Sequence, residues 1–266
     1  RIGTREITLS YARAGHYVGE MALLSDRPRS ATVRAAVDCE AIRIDGEHFK
    51  ALMAENDSAR AAVERTFRER VAANEKMSQH ESASDVLEFL LSQGVSEATD
   101  ILVIDESLCT GCNNCEAACA ATHHGIARLD REAGPSFANV HLPTSCRHCE
   151  HPYCMVDCPP DAIKRSANGE IYIEDSCIGC GNCEKNCPYN VIQMAAPRSR
   201  RPNVLAWLLF GQDRFEEVGA NVSEQAVKCD MCIGIDGGPV CVRSCPTGAA
   251  ARISPDMLIN LSSVST

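Results

Sequence analysis

The sequence predicts an α+β protein in two parts, and three observations carry that expectation. Sixteen of the seventeen cysteines fall between residues 109 and 245, in four groups of short internal spacing. The linkers between those groups read as short strands and turns. Ahead of them, a glycine-punctuated stretch of alternating apolar and polar residues gives way near residue 45 to a helical stripe.

The first region is β-like as far as Ile44. Thr32-Val33-Arg34-Ala35 and Ala41-Ile42-Arg43-Ile44 alternate in the way a strand with one wet face does. Phe49, Leu52 and Met53 then fall at i, i+3, i+4. A second helix is expected to start at Asp57 or Ser58 and to run through Ala62, Val63, Phe67 and Val71. Arg60, Glu64, Arg65, Arg68, Glu69 and Arg70 form its wet side. Ser78 to Ser84 reads as a linker, followed by a short helix capped by Asp85 and ended by Gly94. Asp100 to Asp105 is an apolar strand leading into the first cysteines.

Composition limits the function classes. With 266 residues the chain accommodates two domains of roughly 100–200 residues each. Its 26 basic and 36 acidic side chains leave a formal charge of −10, which argues against nucleic-acid binding, since phosphate contacts need a basic face. The longest apolar run, Val204 to Phe210, is far short of the roughly 20 residues of a membrane span, so no transmembrane segment is expected. The cysteine number is odd, the spacing is local and no secretory signal is visible. A reducing, cytoplasmic location is therefore expected. The chain begins at Arg1 without an initiator Met, which reads as the interior of a longer product.

The cysteine groups are Cys109, Cys112, Cys115, Cys119; Cys146, Cys149, Cys154, Cys158; Cys177, Cys180, Cys183, Cys187; and Cys229, Cys232, Cys241, Cys245. The first and third have the Cys-x2-Cys-x2-Cys-x3-Cys spacing of two-cluster ferredoxins. The second and fourth lengthen the middle gap. Thiolates two residues apart wrap one face of an iron–sulfur cube, and Gly111, Gly179 and Gly181 let backbone N–H groups approach it. Zinc sites instead pair two Cys-x2-Cys knuckles across a dozen or more residues, which of these groups only the fourth could suit.

Pairing follows from the linkers. Between Cys158 and Cys177 the chain reads strand, Asn168-Gly169 turn, strand, the layout of one two-cluster ferredoxin. Groups two and three then form one unit, and groups one and four form another around it. In two-cluster ferredoxins the fourth cysteine ligates the other cluster. The expected sets are Cys109, Cys112, Cys115 with Cys245; Cys229, Cys232, Cys241 with Cys119; Cys146, Cys149, Cys154 with Cys187; and Cys177, Cys180, Cys183 with Cys158. Four [4Fe–4S] clusters would bring the holoprotein to about −18 and make cations or basic partner surfaces its natural counterparts.

From about Thr99 to Ala251 the chain resembles the four-cluster iron–sulfur subunits of molybdopterin oxidoreductases, the dimethyl sulfoxide reductase and formate dehydrogenase family. Cys-Arg-His-Cys at 146–149, Cys-Pro-Tyr-Asn at 187–190 and Lys-Cys-Asp-Met-Cys at 228–232 carry the likeness. The resemblance implies a wire of clusters between a donor and a separate catalytic subunit.

Gly19 to Val33, GEMALLSDRPRSATV, is similar to the phosphate-binding cassette of cyclic-nucleotide-binding domains. That resemblance implies that Glu20 takes a ribose hydroxyl and Arg29 the cyclic phosphate, with Gly19, Ala22, Ser30 and Ala31 lining the loop. A guanidinium fork suits a phosphate, and a helix N-terminus favours an anion. It also implies that only the C-terminal part of a β-roll, with two helices, is present, and that cAMP or cGMP binds in the complete protein. The expected fold is thus two nested two-cluster ferredoxin-like units after a truncated roll. The expected domains are 1–77 for the nucleotide-type domain, 78–98 for a linker with a short helix, 99–255 for the four-cluster domain and 256–266 for a tail.

Cys39 is expected as a buried small hydrophobe. His123, His124, His148 and His151 flank cysteine loops, where local hydrogen bonding and tuning of a cluster are both open. Trp207 reads as core or a docking patch. No nucleophile–base motif, P-loop or dinucleotide fingerprint appears, so the leading function is electron transfer to a separate oxidoreductase partner, gated by the sensor domain, rather than catalysis by this chain alone. A second reading is an integral iron–sulfur subunit of a molybdopterin or flavin oxidoreductase, and a third a redox-responsive regulator. The long helix is a candidate dimer contact.

Overall fold

The structure is a computed structural model and describes residues 8–12, 15–25, 28–36, 39–79, 81–196, 198–201, 214–217, 224–254 and 257. It combines helices with small antiparallel sheets, the expected α+β class. Val204 to Phe210, Trp207 included, lies outside the described residues. Two compact units emerge, residues 1–96 with 256–266 and residues 97–255.

The first unit holds α1 (Glu20–Ser25), α2 (Gly46–Glu55), α3 (Asp57–Gln79) and α4 (Glu81–Ser92). The stripe on α2 buries Met53 but leaves Leu52 half exposed. The cap of α3 is one residue earlier than expected: the Asn56 Oδ1 accepts the Ala59 N–H at 3.0 Å. Residues expected as a linker lie largely in helix, because Ser84 is buried and accepts the Thr8 N–H at 2.9 Å, which ties the start of α4 into the unit. Asp85 is therefore inside α4 rather than at its cap, while Gly94, at φ 74°, ends it as expected.

The two expected strands before Gly46 do not form among the described residues. A strand needs a hydrogen-bonded neighbour, and none of the ladders involves residues 32–35 or 41–44. Their apolar positions are open: Ile42 is 93 % exposed and Val33 68 %. Cys39 is exposed too, not buried as expected.

In the second unit β1 (Ile101–Asp105) occupies the middle of a sheet of order β12-β1-β4-β3, with β3 Ser136–Phe137, β4 Val140–His141 and β12 Ala250–Ile253. Ile101, Leu102 and Ile104 are buried there. Four strand pairs of the unit obey one rule: the strand after the last cysteine of each group pairs with the strand before the first cysteine of the next. Thus β2 (Leu129–Asp130) pairs with β5 (Thr144–Ser145), β6 (Ile163–Arg165) with β7 (Ile171–Ile173), and β8 (Gln193–Ala195) with β11 (Gln225–Val227). The ring closes where β12, after Cys245, meets β1, before Cys109, in the register Ile101↔Ile253 and Ile104↔Ala250. A hairpin of β9 (Arg198–Arg201) and β10 (Arg214–Glu217) is inserted between groups three and four.

The packing has two centres, each partly made of sulfur. Leu102, Ile104, Leu129, Ala249 and Ala250 surround Cys115, Cys119 and Cys241 in one. Ile163, Ile171, Val191, Ile192 and Ala226 surround Cys146, Cys183, Cys187 and Cys229 in the other.

Candidate metal centres and the nucleotide cassette

Each cysteine group is a tight loop running into a short helix. In group one Gly111 and Asn113 take φ of 68° and 57°, turning the chain into α5 (Asn114–Thr122), which carries Cys115 and Cys119 on buried positions. In group three Gly179 and Gly181, at 73° and 75°, do the same before α7 (Asn182–Asn186). Group two uses His148 at φ 47° and then α6 (Tyr153–Val156), and group four uses Met231 and Cys232 near 59° and 57° before α8 (Val240–Arg243). Left-handed residues at these points aim successive N–H groups into the loop, the concave arrangement that suits an anionic centre. The last cysteine of three groups also accepts a later backbone N–H: Arg128 to Cys119 at 3.3 Å, Ala162 to Cys158 at 3.3 Å and Ala250 to Cys245 at 3.4 Å.

None of the seventeen cysteines is in a disulfide. Their neighbours cross between groups. One pocket is lined by Cys158 together with Cys177, Cys180 and Cys183. Burial pushes the Cys119 thiol up to about 12, opposed by the Arg128 N–H and reinforced by the charges of Cys229, Cys241 and Cys232. Burial likewise lifts Cys149 to about 12, with Cys146, Cys154 and Cys187 adding to it. Cys109, Cys115 and Cys245 share a core with Cys119 and Cys241, and Cys112 is exposed. Burial makes the Cys119, Cys149 and Cys154 thiols hard to ionise, and a cationic core bound among them would favour their thiolate forms.

Thiolates suit soft metals and clusters, zinc and iron–sulfur clusters among them. The orphaned donors bear on which of these two fits. Arg128 Nε, Arg131 Nε, Arg147 Nη1, His148 Nε2 and Arg252 Nε are buried without a hydrogen-bond partner among the described residues, and all belong to residues beside cysteine groups. The inorganic sulfides of a cluster would give such donors acceptors beyond the thiolates, which a zinc ion does not add. The residues present therefore fit iron–sulfur clusters.

Among the flanking histidines, His123 and His148 are buried. His148 Nδ1 accepts the Ile171 N–H at 2.8 Å, which leaves its proton on Nε2, and burial holds the ring neutral, at about 2. His123 is lowered to about 4, chiefly by burial, and sits 3.4 Å from the Asp230 carboxylate and 4.0 Å from Cys232 Sγ. Lys228, the first residue of the 228–232 motif, and Arg252 are buried between groups two and four. Arg252, alone in a strand, carries no sequence pattern, and the burial of both is seen only in the fold.

In the first unit Gly19, at φ 96°, precedes α1, and the Arg29 guanidinium lies against its open face: a Cβ on Gly19 would fall 1.9 Å from Nη1. Glu20 is buried, but its Oε1 pairs at 2.5 Å with Arg70 of α3, while Oε2 has no partner among the described residues. Arg70 also donates to the Tyr17 carbonyl at 2.7 Å and stacks over the Tyr17 ring. Arg70 was expected on the wet side of its helix. The structure instead turns it toward the cassette, because the buried carboxylate needs a cation. Ala22 lies on α1, and Ser30 and Ala31 are exposed.

Comparison with known proteins agrees with both halves. Residues 2–56 match the model of the cyclic nucleotide-binding domain, and residues 137–200 and 176–249 match two models of a 4Fe-4S dicluster domain. Hydrogenase-4 component A of Escherichia coli (strain K12) is 35% identical over 173 residues, 59% of this chain and 83% of that protein. Formate hydrogenlyase subunit 2 of the same organism is 32% identical over 171 residues, 56% and 78% of the two chains. Its electron transport protein HydN is 30% identical over 173 residues, 60% and 91%. With cysteine sites built for iron–sulfur clusters and relatives of this closeness, the chain belongs to the 4Fe–4S electron-transport family of hydrogenase-4 component A and HydN.

Proposed function

We propose that the chain passes electrons along four [4Fe–4S] clusters held by crossed cysteine sets, in two nested ferredoxin-like units, to a separate oxidoreductase subunit. The sets are Cys109, Cys112, Cys115 and Cys245; Cys119, Cys229, Cys232 and Cys241; Cys146, Cys149, Cys154 and Cys187; and Cys158, Cys177, Cys180 and Cys183. The observation that carries this reading is the pocket where Cys158 of group two faces the first three cysteines of group three. The closed ring of strand pairs supports it, since β1 with β12 draws groups one and four together while β6 with β7 joins groups two and three. A bound [4Fe–4S] cluster takes up and releases one electron at a time. The protein's own part is to bury the thiolates, aim donors at them and keep water away from the buried sulfurs.

The domains on this reading are 1–77, 78–98, 99–255 and 256–266, in the reducing cytoplasm. The relatives named for hydrogenase-4 and formate hydrogenlyase favour a partner of the hydrogenase or formate hydrogenlyase kind. The alternative of an integral subunit of a molybdopterin or flavin enzyme rests on the motifs at 146–149, 187–190 and 228–232. In the complete protein Gly19, Glu20, Ala22, Arg29, Ser30 and Ala31 hold cAMP or cGMP, and the Glu20–Arg70 pair ties that cassette to the long helix, the route by which a nucleotide would gate electron flow.

A stoichiometric reductive titration of anaerobic protein tests the wire. Uptake of about four electrons per chain is expected, one for each cluster. Uptake of two or fewer overturns it. The gating part falls if the full chain takes up neither cAMP nor cGMP in equilibrium dialysis.

A further inference from the structure

Between groups two and four the structure buries two cations against cysteine sulfur. Lys228 is 3 % exposed. Its Nζ lies 3.4 Å from Cys146 Sγ and donates to the carbonyls of Cys229, at 2.9 Å, and Ile171. Among the described residues no carboxylate pairs with it. Arg252, from β12, sits across the same junction with its side chain 6 % exposed. Its Nη2 lies 3.0 Å from Cys229 Sγ, and its Nη1 donates to the Cys146 carbonyl at 3.2 Å and to Asp100 at 3.0 Å.

An ammonium taken from water and given only carbonyls and a thiol is costly unless an anion sits beside it. Here the anion is the thiolate set on either side, and each cation touches the sulfur of one set and the backbone of the other. Backbone N–H groups reach sulfur in all of these sets alike, at Cys119, Cys158 and Cys245. At the other two sets the cation is Arg131, 3.3 Å from Cys109 Sγ and shared with Glu106 at 3.6 Å, and among the described residues no Lys or Arg donates to the sulfur of Cys158, Cys177, Cys180 or Cys183.

We infer that Lys228 and Arg252 are positioning residues that raise the reduction potentials of the two inner clusters, those of Cys146, Cys149, Cys154, Cys187 and of Cys119, Cys229, Cys232, Cys241, above the outer two. The inference rests on the crossed ligand sets proposed above. Its physics is that reduction adds a negative charge, which a nearby buried cation stabilises more than it stabilises the oxidised form. An electron crossing from one ferredoxin unit to the other then rests at the junction, and the outer clusters stay as the entry and exit.

The test is EPR-monitored potentiometry of the anaerobic holoprotein, with iron content measured on every sample. Lys228→Met should lower two of four midpoints by about tenfold in reduction constant, 59 mV for one electron, at unchanged iron. Lys228→Arg, which keeps the charge, should hold the native values. Asp100→Asn, which removes the carboxylate on Arg252, should move the midpoint of the Cys229 set upward. Unchanged midpoints in Lys228→Met, or an equal shift in all four, overturn the proposal. If Lys228→Met loses iron, Asp100→Asn decides: no upward shift overturns it. A wild-type protein with fewer than four reducible centres removes the ligand sets themselves, and the inference falls with them for that separate reason.

Discussion

Gly179→Ala is expected to strip one cluster from the protein. Gly179 has φ +73°, a conformation that costs an L-residue about 1 kcal/mol, and the added methyl would lie 1.9 Å from the Glu224 carbonyl oxygen. That oxygen belongs to the backbone just before β11, which is laddered to β8, and the Gln225 side chain donates to the Cys177 carbonyl at 3.2 Å. Neither partner can swing aside, so the loop carrying Cys177 and Cys180 must open. We expect a stability loss of about 3 kcal/mol or more in the second unit and the loss of about four irons per chain. Gly181→Ala is the control. It has nearly the same φ, +75°, but nothing within 4 Å of the added carbon. It should cost about 1 kcal/mol and keep its iron. Denaturant melts with iron analysis on both variants separate steric clash from general loop strain.

Cys119→Ala carries the second large effect. Cys119 lies on the same helix as Cys115, yet the charges that bear on it come from Cys229, Cys232 and Cys241. Removing it should abolish the cluster of group four and leave that of Cys109, Cys112 and Cys115 intact. The variant also orphans the Arg128 N–H, which now points at sulfur, so some loss of stability accompanies it. Spectra in which only the group-one component disappears would mean that each group closes on itself, and the ring of strand pairs would need another explanation.

Much of this was legible because it is local. Cysteine spacing, the Asn168-Gly169 turn between β6 and β7, and the apolar run of β1 are each fixed within a few residues, and the structure has all three where the pattern places them. What was not legible depends on partners far along the chain. Pairing of Ile101 with Ile253 leaves no trace in either segment alone. The alternation at residues 32–35 and 41–44 signals a strand only if another strand accepts its hydrogen bonds, and among the described residues none does. Arg70 reads in sequence as a wet-face charge, and nothing in the sequence says that Lys228 and Arg252 are buried. Each is drawn inward by a buried anion or thiol: Glu20, Cys146 and Cys229 respectively. The cassette was half legible. Gly19 and Arg29 do meet, but Glu20 is engaged by a helix that begins 37 residues later, at Asp57.

Iron and acid-labile sulfide per chain in anaerobically purified protein count the clusters that the sixteen cysteines of residues 109–245 serve. Four clusters give about sixteen of each, with no zinc. About eight irons and eight sulfides, or zinc in stoichiometric amount, would contradict that count.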